Sequence, residues 1–87
     1  MKYVLEYISS ADVATLAPIH FPAHRERWAE FQARGELVMI GPYSDQSGAL
    51  AIFNSREAAE EFAGTDPFVI HGLVRSWAVH EWMEALT

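Results

Sequence analysis

Histidine is the residue type in this 87-residue chain that is best suited to acid–base chemistry, because imidazole exchanges protons near neutral pH. The chain has four histidines: His20, His24, His71 and His80. His24 is the strongest candidate, since it lies in a predicted helix that leads into an apolar strand. A catalytic imidazole also needs a neighbour that fixes its tautomer, commonly a carboxylate. Asp66 is the attractive partner, because it follows the second predicted helix and could lie near the first.

Asp66 also has a purely structural interpretation. Aspartate at an N-cap with proline directly after it is an ordinary start for a helical turn, and Pro67 fits that pattern. The segment Gly41-Pro42-Tyr43 is similarly ambiguous. It is a candidate substrate-binding turn at the far end of the strand that follows the helix of His24. The simpler explanation of this segment is a strand end, with Tyr43 in the core or an interface.

His20 and His24 have the spacing of a helical metal-binding pair, since residues four apart share a helix face. Phe21, however, occupies the position of the glutamate that accompanies such a pair in metalloproteases, and Pro22 lies between the two histidines. The chain has no cysteine, which excludes disulfides and thiolate zinc sites. We therefore predict no metal and no other cofactor, and the histidines other than His24 receive no assigned role.

Length and charge restrict the class of protein. Residues 1–87 suffice for one small domain, whose own core gives only marginal stability. A net charge of −6 with six scattered basic residues argues against nucleic acid, which requires clustered Lys and Arg. The N-terminus lacks the apolar run of a signal peptide or membrane span. We expect a cytoplasmic protein with no membrane or nucleic-acid partner.

Hydrophobic patterning predicts four strands, at about 2–8, 37–40, 49–53 and 73–82. The first helix is predicted from Pro18 or Pro22 to Arg34, because proline suits the first turn of a helix and not its interior. Gly35 then supplies the left-handed cap. The second helix is predicted from an N-cap at Ser55 to residue 63, with Gly64 after its end. Asp66-Pro67 is then predicted to open a short turn or helix that ends near Gly72.

The resulting order, β-α-β-β-α-β, is that of the ferredoxin-like α+β fold: a four-stranded antiparallel sheet with both helices on one face. The strands at 37–40 and 49–53 are apolar on both faces, although the open face of such a sheet is usually polar. A contiguous exposed apolar patch usually marks an interface. We therefore predict a homodimer in which two open sheet faces pack together.

An ordered set of residues gives the chain a family resemblance. His24, Gly35, Gly41-Pro42, Gly48, Asp66-Pro67-Phe68 and Gly72 together resemble the pattern of the YCII-related (YciI-like) family over nearly the whole chain. The resemblance implies a single YCII-related domain, a ferredoxin-like fold, dimeric α/β barrels, and an active site built from His24 and Asp66. One member of the family is a dehydrochlorinase acting on a chlorinated hydroxyquinol, and similar barrels include muconolactone isomerases.

Two functional hypotheses follow. In the first, the chain is a small cofactor-free enzyme in which His24 moves a proton on a small cyclic or enolisable molecule while Asp66 orients the imidazole, giving elimination or isomerisation. In the second, the chain is a non-catalytic dimeric module that holds a small ligand in the same pocket. The enzyme hypothesis requires His24 and Asp66 to lie within hydrogen-bond reach in a cleft that opens to solvent.

Overall fold

The computed structural model describes residues 1–85 as a four-stranded antiparallel sheet with three helices. The elements, in chain order, are β1 (Lys2–Ser9), α1 (Val13–Ala33), β2 (Leu37–Pro42), β3 (Gly48–Phe53), α2 (Arg56–Thr65), α3 (Pro67–Ile70) and β4 (Val74–Trp82). The strand order across the sheet is β2-β3-β1-β4. This layout confirms the predicted ferredoxin-like fold. Within the described residues, no helix is both long and apolar enough to cross a membrane.

The central strand β1 shows how strand alternation builds the core. Leu5 pairs with Ala51 of β3 and Val79 of β4, so these three side chains share the sheet face that the helices cover. Phe31 of α1 and Phe62 of α2 pack on that face and are fully buried. Their ring centroids lie 5.3 Å apart in an edge-to-face arrangement, which aromatic quadrupoles favour. The core therefore lies between the two main helices and one face of the sheet.

Helix α1 begins at Val13, so the predicted start at Pro18 or Pro22 is wrong. The backbone N–H of Leu16 donates to the carbonyl of Asp12 at 3.0 Å, which closes a helical turn ahead of both prolines. Each proline removes one N–H donor, and the turns on either side carry the helix through that loss. The earlier start places residues 13–17 on the helix and beside the candidate site.

Helix α2 begins as predicted, with the Ser55 hydroxyl accepting from the N–H of Ala58 at 3.2 Å. It continues to Thr65, past the predicted stop at Gly64. The backbone N–H of Asp66 still donates to a helix carbonyl at 2.8 Å, so the last turn remains closed. Asp66 then adopts extended backbone angles, which end α2 and lead directly into α3.

The sheet face away from the helices carries apolar side chains that are half-buried or exposed within residues 1–85. Met39 pairs with Ile52, and Ile52 pairs with Val4, so these three residues lie side by side on that face. Met39 is 61% exposed, and Trp82 at the end of β4 is 46% exposed. Strands β2 and β3 therefore present apolar residues on both faces of the sheet, as their sequence predicts.

Candidate active site

Asp66 lies at the junction of α2 and α3 and is completely buried. One carboxylate oxygen, Oδ1, accepts a hydrogen bond from the backbone N–H of Phe68 at 3.1 Å, so Asp66 is the N-cap of α3. The same oxygen lies 2.7 Å from Nδ1 of His24 on α1. Asp66 therefore caps α3 and contacts His24 at the same time, so the two interpretations of this residue do not exclude each other.

The contact between His24 and Asp66 fixes which imidazole nitrogen carries a proton. An ionised carboxylate only accepts hydrogen bonds, so Nδ1 of His24 donates to Asp66. In the neutral imidazole the other nitrogen, Nε2, then holds a free lone pair. His24 is 8% exposed and lines a cavity, whereas Asp66 lies behind it without solvent contact. Such an arrangement suits a general base that is oriented from behind.

Tyr7 of β1 is a third member of this cluster, and the sequence alone does not predict its role. Its hydroxyl donates to Oδ2 of Asp66 at 2.7 Å. Burial, together with the neighbouring Asp66 carboxylate, raises the pKa of Tyr7 well above its ordinary value, so the phenol remains protonated and keeps donating. Strand alternation does place Tyr7 on the face of buried Leu5, and a buried tyrosine hydroxyl needs a partner. Alternation alone does not name that partner.

Aromatic rings hold the imidazole of His24 in place. The ring of Phe68 stacks on it, with centroids 3.8 Å apart and planes 3° from parallel. Phe62 approaches edge-on at 6.1 Å, and Phe21 lies at 6.1 Å in a tilted orientation. Helix α3 supplies the stacking ring through Phe68, and its N-cap Asp66, two residues earlier, supplies the carboxylate.

The other histidines lie apart from this pair. His20 stacks on His71 with ring centroids 4.0 Å apart, joining α1 to the end of α3. His80 is exposed on β4, with Nε2 3.9 Å from a carboxylate oxygen of Glu6. His20 and His24 thus have different neighbours although they are one helical turn apart. Within residues 1–85, no three His, Cys, Asp or Glu side chains come close enough together to hold a metal ion.

A half-enclosed cavity of about 700 Å³ lies between the N-terminal half of α1 and the sheet. This volume falls within the range of small-molecule sites. His24 and Tyr7 form part of its wall, and most other lining residues are apolar. The apolar lining includes Leu5, Val13, Ala14, Ala17, Phe21, Ile40, Ala49, Ala51, Phe62, Phe68 and Leu73.

The predicted binding segment Gly41-Pro42-Tyr43 also lines this cavity. Gly41 and Pro42 belong to β2 itself, so the strand runs two residues beyond its predicted end. Gly41 pairs with Leu50, and a Cβ at Gly41 would meet no atom within 4 Å. The Tyr43 hydroxyl donates to Glu6 at 3.2 Å, so Tyr43 contributes its ring to the wall. The structure brings all three to the same cavity as His24, and their role in binding stays a prediction.

Comparison with known protein families gives a match over most of the chain. Residues 1–83 match the family model of the YCII-related domain. The chain belongs to the YCII-related family. A search of curated proteins finds no match.

Several solved structures share the fold of this YCII-related chain. One is 5-chloro-2-hydroxyhydroquinone dehydrochlorinase from Burkholderia phenoliruptrix AC1100 in complex with 2,5-dihydroxybenzoquinone, with a TM-score of 0.76 at 19% identity over 94% of this chain and 93% of that one. Rv0793 from Mycobacterium tuberculosis has a TM-score of 0.54 at 11% identity, covering 99% and 97% of the two chains. An antibiotic biosynthesis monooxygenase has a TM-score of 0.52 at 14% identity, covering 95% and 98%. At these identities the likeness concerns the fold alone.

Proposed function

We propose that this YCII-related domain is a small-molecule enzyme in which His24 is the general base and Asp66 orients it. One observation carries the proposal: Nδ1 of His24 lies 2.7 Å from a fully buried Asp66 carboxylate at the wall of a cavity of about 700 Å³. The family membership of residues 1–83 and the fold shared with a dehydrochlorinase support an enzymatic role. The reaction class we propose is elimination or isomerisation on a cyclic or enolisable molecule.

The geometry suggests how such a reaction would proceed. Nε2 of His24 accepts a proton from an acidic C–H or O–H of the substrate, and the electrons of the broken bond form a new double bond in the substrate. In an elimination those electrons expel a leaving group with its bonding pair. In an isomerisation the imidazolium returns the proton to another atom. Asp66 stabilises the imidazolium, and Tyr7 keeps the Asp66 carboxylate in place through its hydrogen bond to Oδ2.

The alternative function is a dimeric module that binds a small ligand in the same cavity without turnover. A specific observation favours it: Asp66 is already bound by the N–H of Phe68 and the hydroxyl of Tyr7, as a structural aspartate would be. A thermal-shift screen of small aromatic and lactone compounds, followed by turnover assays on each hit, separates the two. Conversion of a hit by the natural protein and not by His24→Ala supports the enzyme. Hits that bind and are never converted favour the binding module.

We also propose that two copies of the chain pair through their open sheet faces. Met39 and Trp82 are large apolar residues that are 61% and 46% exposed in a chain of only 87 residues. A stable interface buries roughly 1,600 Å² in total, which one sheet face from each copy can supply. The cavity lies on the opposite, helix-covered side of the sheet, so this pairing leaves the candidate site open.

A further inference from the structure

The cavity next to His24 is lined by side chains that carry no permanent charge. The chain has six basic and twelve acidic residues, yet no Lys, Arg, Asp or Glu appears among the lining residues of the part of the chain that the structure describes. The polar lining groups are neutral and lie mainly around the hairpin: Ser9, Tyr43, Ser44 and Gln46. Among the residues described, His24 is therefore the one lining side chain with a basic nitrogen.

The basic side chains are placed elsewhere on the molecule. Arg25 and Arg75 are exposed and lie outside the cavity lining. The other four form ion pairs with carboxylates on the exterior. These pairs are Arg27 with Glu30 and Glu61, Arg34 with Glu61, Arg56 with Glu81, and Lys2 with Glu84. None of these groups is positioned to neutralise an anion inside the cavity.

Three of the first four backbone N–H groups of α1 are already engaged in hydrogen bonds, so this helix end supplies little positive charge to the cavity. Val13 lines the cavity, but its backbone N–H donates to the carbonyl of Ser10 at 3.3 Å. The N–H groups of Thr15 and Leu16 donate to the carbonyl of Asp12 at 3.1 and 3.0 Å. Asp12 itself occupies the N-cap position, so this helix end already carries a carboxylate of its own. A second anion at this end of the helix would be repelled.

We propose that the cavity selects a neutral, ring-sized molecule with at most one acidic group, and rejects phosphate esters and dicarboxylates. The acidic group meets Nε2 of His24 and shares its proton there, while Nδ1 keeps its hydrogen bond to Asp66, so the site offers one such contact and no second one. A further charge would be buried among apolar side chains without a partner, and such burial is strongly unfavourable. This substrate class rests on the proposed role of His24 as the base.

The test compares two probes that share a nitrophenyl ring and differ in the charged group on it, para-nitrophenol and para-nitrophenyl phosphate, by isothermal titration calorimetry. The buffer is one in which free para-nitrophenol is mostly protonated. We expect para-nitrophenol to bind at least about tenfold more tightly than the phosphate ester. Ala17→Phe places an aromatic ring inside the cavity and should block binding. Ala23→Phe, an exposed change on the same helix outside the lining, should not.

The outcomes separate the substrate class from the catalytic role. If the phosphate ester binds as tightly as para-nitrophenol or more tightly, and Ala17→Phe removes that binding, the proposed substrate class is wrong. The proposed role of His24 as general base is not affected by that result. Failure of para-nitrophenol to bind at millimolar concentration also overturns it. Transfer of the phenol proton to Nε2 breaks the O–H bond, forms an N–H bond and produces the visible absorbance of bound phenolate. If para-nitrophenol is preferred but His24→Ala yields the same bound phenolate, the substrate class stands and the base role fails.

Discussion

Tyr7 and Asp66 are 59 residues apart in the sequence, and their side chains share a 2.7 Å hydrogen bond in the interior. The bond ties the central strand of the sheet to the turn that carries the carboxylate. It also satisfies the oxygen of Asp66 that faces away from His24, since Oδ1 serves His24 and Oδ2 serves Tyr7. The orientation of the imidazole is therefore fixed by contacts from β1, α1 and the α2–α3 junction together.

Tyr7→Phe should destabilise the fold although it removes a single oxygen. It leaves Oδ2 of a fully buried carboxylate without its donor, which costs about 1–3 kcal/mol of unfolding free energy. Urea denaturation measures this loss. Tyr3→Phe on the same strand is the matched control, because Tyr3 lies four residues away and does not bind Asp66. An equal, negligible change in both variants would contradict the role given to Tyr7.

Two glycines of the β2–β3 hairpin should respond differently to alanine. A Cβ at Gly48 would fall well inside contact distance of the carbonyl oxygen of Tyr7, a backbone atom that cannot turn aside. Gly48→Ala should therefore destabilise the protein and disturb the strand that carries Tyr7. A Cβ at Gly41 meets nothing within 4 Å, so Gly41→Ala should keep its melting temperature. Similar melting temperatures for the two variants would contradict the close contact between residue 48 and the carbonyl oxygen of Tyr7.

Low pH should weaken the ion pairs that Glu61 of α2 makes with Arg27 of α1 and with Arg34 at the end of that helix. Hydrogen bonds from Arg34, followed by the charges of Arg34 and Arg27, hold the pKa of Glu61 below its ordinary value of 4.5. A carboxylate whose pKa is lowered by folding adds stability above its unfolded pKa, and that stability is lost as the pH falls through the folded value.

Unfolding free energy should therefore decrease as the pH falls below about 4.5. Glu61→Gln should flatten this part of the profile by a small amount, since the pair is exposed to solvent. Glu60→Gln, its exposed neighbour on the same helix, is the control. If Glu61→Gln leaves the dependence of unfolding free energy on pH unchanged, Glu61 does not contribute to the loss of stability in acid.

The open sheet face should hold the dimer. Met39→Asp places a charge beside Ile52 on that face and should give a monomer, which sedimentation at low micromolar concentration detects. Ile19→Asp on α1 is the matched control, because Ile19 is 66% exposed and Met39 is 61% exposed, but Ile19 lies outside the sheet. Natural protein that sediments as a monomer would contradict the proposed pairing.

The order of elements can be predicted from the sequence because the signals are local. Alternation marks the strands, Ser55 caps α2 through a neighbouring N–H, and Gly35 takes a positive φ of 76° at the end of α1. The predicted start of α1 is wrong because it gives proline propensity more weight than the turn closed by Asp12, and tertiary context routinely overrides propensity.

The candidate site is only partly predictable. Chemistry and family resemblance identify His24 and Asp66, and the structure brings them together. They miss Tyr7 because its partner lies in another element, and strand alternation reports the face of a residue without naming what packs there. The stacking of Phe68 on His24 is missed for the same reason, although Phe68 belongs to the segment that carries the resemblance.

The central claim is that His24 and Asp66 act as one unit, and turnover by His24→Ala, Asp66→Asn and the double variant tests it most directly. The Asp66→Asn change keeps a capping oxygen for the N–H of Phe68 and removes the charge, so the melting temperature should fall only modestly. Each single change should lower turnover by about 10²–10⁴-fold on a verified substrate, and the double variant should be little worse than the poorer single variant. Full turnover in both single variants would show that Asp66 is a helix cap and that the pair is not catalytic.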